Sequence, residues 1–102
     1  MTTAEQLEVL EGALSLLADP KRWTKGTEAS SLWMRRMVPP QSDAAARWCL
    51  WGAKVRVGSD CGISARHELG EIYMNDHGGY VAVLDGLCAR IDELRELQGV
   101  EA

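Results

Sequence analysis

The chain has no phenylalanine, only three prolines, and three cysteines (Cys49, Cys61 and Cys88) with no CxxC or C-x3-C pair. An odd count at those separations excludes a secreted disulfide framework, and it lacks the paired ligand spacing of a structural zinc site. No apolar run approaches the roughly 20 residues that cross a bilayer. The opening Met-Thr-Thr-Ala-Glu-Gln has neither the basic start nor the apolar stretch of a signal peptide. The expectation is a cytoplasmic protein with reduced thiols, no membrane partner, and neither metal nor other cofactor. A basic excess is also missing. Eleven Lys+Arg against fifteen Asp+Glu leave a formal charge of −4, which argues against nucleic acid as a partner and is too mild for a DNA mimic. Gly58-x-x-x-Gly62 is not followed by Lys-Ser/Thr, so it is no phosphate loop.

What remains is ordinary globular material, 102 residues of which 46% are hydrophobic and 25% charged. That length suits one domain over residues 1–102. Thr3 stands three residues before Gln6, the spacing of a capping box, and Leu7, Leu10, Leu14 and Leu17 share a helical face. Asp19-Pro20 closes this helix, predicted over residues 4–18, because the residue before proline is pushed out of the helical region. Residues 20–42 hold all three prolines and the Lys25-Gly26 turn. Trp23-Thr24 and Leu32-Trp33-Met34 are candidate strands of a hairpin around Gly26, with a helical turn as the alternative for the second. Ser42-Asp43 reads as an N-cap before a second helix over residues 43–56. In that helix Ala44, Trp48, Trp51 and Val55 form a core stripe, and Gly52 admits a neighbouring backbone. A third, shorter helix starting at Ser64 would carry Ala65, Leu69, Ile72 and Tyr73. After the break at Asn75-Asp76-His77-Gly78-Gly79, the positions Val81, Leu84, Leu87, Cys88, Ile91 and Leu94 define a last helix. The fold expected is mainly α: a bundle of about four helices with a hairpin or irregular insertion after the first.

Three landmarks carry a family resemblance: Trp23-x-Lys25-Gly26, Arg47-Trp48-Cys49-x-x-Gly52-Ala53, and Asn75-Asp76 before a closing amphipathic helix. In this order they resemble a family of small bacterial and phage proteins of unknown function, over about residues 7–95. His77-Gly78-Gly79 after Asn-Asp, and the bulky Leu32-Trp33-Met34, depart from the family pattern. The resemblance implies one helical domain and a phage or mobile-element setting, and it carries no chemistry.

Two functional classes compete. Trp33, Arg35, Arg36 and Met37 sit together in an irregular stretch and are of the types enriched at protein interfaces. They suggest an interaction module, an accessory protein that binds and modulates or inhibits a host protein such as a defence component; self-association is the alternative partner. The competing class is a small enzyme or ligand-binding domain centred on Trp23, Lys25, Cys49, Asn75 and Asp76. Cys49 with His67 or His77 supplies the residue types of a thiol hydrolase. A mid-helix position among tryptophans would instead make the thiol a packing group, and Cys88 on an apolar face likewise. Asn75-Asp76 explains itself as a helix terminator, with Asp76 capping the final helix and the glycines supplying positive φ. The sequence therefore favours the interaction module, with residues 32–37 as its surface, over an enzyme.

Overall fold

In the computed structural model, which describes residues 2–31, 37–65 and 74–101, the first helix, α1, runs Thr3–Leu17. Its cap is Thr2 rather than Thr3. The Thr2 hydroxyl accepts from the Glu5 N–H at 3.1 Å, and Glu5 accepts from the Thr2 N–H at 3.0 Å. Thr2-Glu5 has the same capping-box spacing as Thr3-Gln6, and the Glu5 charge also suits the positive end of the helix dipole. The buried face is Leu7, Val9, Leu10, Ala13 and Leu17. Asp19 then caps a single 3₁₀ turn, Pro20–Arg22.

The strand pair among the described residues is not one that the sequence suggested. Strand β1 (Ala29–Ser31) lies antiparallel to β2 (Ala45–Trp48), with Ala29 opposite Trp48, Ser30 opposite Arg47, and a register shift after Ser30. Trp23 makes an isolated parallel bridge to Trp48, and the Thr24 N–H reaches the Trp48 carbonyl at 3.0 Å. Residues 32–36 and 66–73 fall outside the described residues, so the Leu32-Trp33-Met34 strand and most of the expected third helix do too.

The second helix needs the largest correction. Residues 45–48, expected to be helical, form β2, and α2 runs Leu50–Cys61 with Cys49 as its N-cap. Alanine's helix propensity at 44–46 is overridden because pairing with β1 places the Trp48 ring in the core. There its indole N–H donates to the Pro40 carbonyl at 3.0 Å. Trp48 and Trp51 therefore share no helical stripe: Trp48 is buried and Trp51 only half-buried. Nor does the helix stop before Gly58; it continues to a left-handed Gly62. The expectation for Gly52 holds, since a Cβ there would lie 1.9 Å from the Glu28 carbonyl oxygen.

A five-residue π turn, Met74–Gly78, leads into the last helix, α3 (Gly79–Glu101). Three α-helices are thus present among the described residues, where about four were expected. On α3, Val83, Leu87, Ile91 and Leu94 are buried, while Val81 is 68% exposed. Cys88 is exposed as well, against the expectation that it packs. Helix α1 lies against both α2 and α3. One cluster joins Leu10, Ala13 and Leu17 of α1 to Ala29, Trp48, Ala53, Val83, Leu87 and Ile91. The Tyr80 hydroxyl reaches the Leu17 and Ala18 carbonyls, fixing the start of α3 to the end of α1.

Candidate functional site: a pocket at the start of the second helix

Asn75 is 1% exposed, and its amide is saturated. Its oxygen accepts from the Trp23 indole N–H at 2.8 Å and from the Leu50 backbone N–H at 2.9 Å. Its nitrogen donates to the Thr24 carbonyl at 3.2 Å and to Asp76 Oδ1 at 3.1 Å. Two acceptor sites and two donors are all that an amide offers. Leu50 is the first residue of α2, so its N–H has no partner within the helix. Asn75 thus caps α2 from another part of the chain, while the Cys49 sulfur accepts from the Gly52 N–H at 3.3 Å.

Asp76 does not cap α3. Its Oδ1 instead accepts from the Gly26 N–H at 3.2 Å. Gly26 has φ +80°, a turn conformation that a side chain would strain. The hydrogen bond from Asn75, then that from Gly26, holds the Asp76 carboxyl below its ordinary pKa; His77 and Lys25 add smaller electrostatic contributions. Trp23 is tied through its indole N–H to Asn75. Its ring lies 5.9 Å from that of Tyr80, tilted at 55°.

These contacts enclose a pocket of about 210 Å³, lined by the 26–28 turn, Cys49, Trp51, Asn75 and Asp76. Of the residues of the second functional class, Cys49, Asn75 and Asp76 line it; Trp23 is joined to it only through its hydrogen bond to Asn75. Lys25 borders a separate recess on the far side of the turn. Cys49 is a buried helix N-cap and not a mid-helix residue. That position would favour a thiolate, yet burial pushes its pKa up, and the charges of Glu28 and Asp76 add to the rise. The N–H groups of Gly52 and Trp51 only partly oppose it. The thiol is therefore neutral at pH 7. His77 is exposed, and His67 lies outside the described residues. No group of three or more His, Cys, Asp or Glu is arranged to hold a metal among the described residues.

Of the interface residues read from sequence, Met37 is described and is 74% exposed. Trp33, Arg35 and Arg36 lie outside the described residues. Sequence reasoning missed Thr27, Glu28 and Trp51 as pocket residues. Trp51 was assigned to the core by a helical phase that started too early, and the local sequence carries no signal marking Cys49 as a cap. Comparison with known protein families, curated proteins and solved structures finds no match.

Proposed function

We propose that this chain is a small-ligand-binding domain whose site is the pocket between the 26–28 turn, the start of α2 and Asn75-Asp76. The observation that carries this is convergence. Hydrogen bonds spanning 25, 50 and 52 residues of sequence bring Leu50, Gly26 and Trp23 onto Asn75 and Asp76. Two carboxylates, Glu28 and Asp76, border the pocket, and among the described residues no Lys or Arg does. Trp51 supplies an aromatic wall. The chemistry suits a small cation with an apolar or single-ring body, its head against Asp76 and its body against Trp51. A neutral thiol at Cys49 supports binding in preference to nucleophilic attack.

Tyramine and benzamidine are suitable probes, read by ¹H–¹⁵N NMR. Saturable shifts are expected at the Trp51 indole N–H and the Gly26 amide. Asp76→Asn keeps the shape and removes the charge, and should weaken binding by roughly tenfold or more, as charge-assisted hydrogen bonds imply. Shifts that never saturate, or are unchanged in the variant, would refute the assignment.

A second reading, a protein-interaction module docking through residues 32–37, is supported by Met37, a large apolar side chain exposed beside the edge of β1. Under it, Met37→Asp abolishes capture of a partner from host extract and leaves tyramine binding intact.

A further inference from the structure

A second recess, of about 580 Å³, opens on the other side of the 24–28 turn. Lys21, Lys25 and Arg47 line it together with Ser30, and among the described residues no Asp or Glu does. In a chain with a net charge of −4, that is a local inversion of sign. Two neighbouring carboxylates hold backbone amides: Asp19 accepts from the Lys21 N–H at 3.0 Å, and Asp76 from the Gly26 N–H.

Ser30 supplies the independent observation. It is 3% exposed, and its hydroxyl has no hydrogen-bond partner among the described residues. Buried hydroxyls are ordinarily satisfied, and an exception calls for a reason. Ser30 pairs with Arg47 across the β1–β2 ladder, and directly opposed residues present their side chains on the same face. The Arg47 guanidinium donates to the Ser31 carbonyl at 3.2 Å, which anchors it and leaves further N–H groups of its fork for a ligand. Thr27 contributes no donor, because its hydroxyl is spent on the Ala29 carbonyl at 3.2 Å. An unmet donor beside a tethered guanidinium and two ammonium groups is what a tetrahedral, multiply charged oxyanion requires.

We infer that this recess binds the phosphoryl end of a small phosphorylated ligand, with Arg47 and the Ser30 hydroxyl contacting its oxygens and Lys21 and Lys25 neutralising its charge. The site is separate from the cation-binding pocket, and each stands or falls without the other.

Pyrophosphate is the probe, titrated at an ionic strength of about 0.15 M so that weak surface attraction is screened. Saturable shifts are expected at Ser30, Lys25 and Arg47. Ser30→Ala should weaken binding by about tenfold or more, since a hydrogen bond to a charged group is lost. Its melting temperature should not fall, because the hydroxyl removed has no partner to leave behind. If it does fall, Arg47→Gln answers the same question by removing the charge and keeping much of the stem. The inference is overturned by shifts spread over all basic residues without saturation. It is equally overturned by undiminished affinity in both variants, or by citrate binding as tightly as pyrophosphate.

Discussion

At the scale of single residues, the chemistry of Cys49 follows from its surroundings. Burial disfavours the thiolate, so the folded pKa lies above the unfolded one. Between those two values the unfolded chain has released a proton that the folded chain retains, so stability falls as pH rises above about 8.5. Below that range the thiol is neutral in both states and contributes no pH dependence. Labelling with iodoacetamide followed by mass spectrometry should modify exposed Cys61 and Cys88 first at pH 7.5. Cys49 should become reactive only at alkaline pH, as ionisation and loosening of the fold coincide. Rapid labelling of Cys49 at neutral pH would mean an activated thiol and return the site to hydrolase chemistry.

At the scale of elements, the junction between β1 and α2 depends on one missing side chain. The Cys49 N–H donates to the Glu28 carbonyl at 3.1 Å, and Gly52 packs against that same carbonyl. Gly52→Ala would drive a methyl group into backbone that cannot rotate away. Overpacking of this kind costs about 1–3 kcal/mol, against a gain in helix propensity of up to about 1 kcal/mol. A net fall in melting temperature is expected, with loss of tyramine binding because the 26–28 turn is displaced. Gly99 offers the control: nothing lies within 4 Å of a Cβ there, so Gly99→Ala should leave both properties unchanged or raise stability. Exposed ion pairs such as Arg95–Glu11 at 3.0 Å contribute little on this scale.

For the whole molecule, Trp48 is where sheet, loop and helices meet. Its ring is 6% exposed, its indole N–H holds the Pro40 carbonyl, and the Arg56 guanidinium lies 5.6 Å from the ring centroid. Trp48→Ala should cost about 3–5 kcal/mol, a large share of the roughly 5–15 kcal/mol that stabilises a domain of this kind. Thermal unfolding followed by circular dichroism should show a collapse of the transition; an unchanged midpoint would contradict the burial. Local periodicity made α1 legible: its leucine stripe, acidic first turn and Asp-Pro stop are all decided within a few residues of each other. The buried face of α3 was legible in the same way at Leu87, Ile91 and Leu94, because helical burial repeats every three or four positions. The close approach at Gly52 could also be read, although on a helix begun too early. What the sequence could not decide was anything resting on a partner far along the chain. Residues 45–48 became a strand because β1 stood ready to pair with them, and Cys49 became a cap because the helix then had to begin after it. Asn75 and Asp76 looked like a local terminator, since capping is the commonest use of such residues; only the tertiary structure turned their side chains onto Trp23, Leu50 and Gly26. Short-range hydrogen bonds and periodic burial are written in the order of residues, whereas a site made from three distant segments exists only once the core has brought them together.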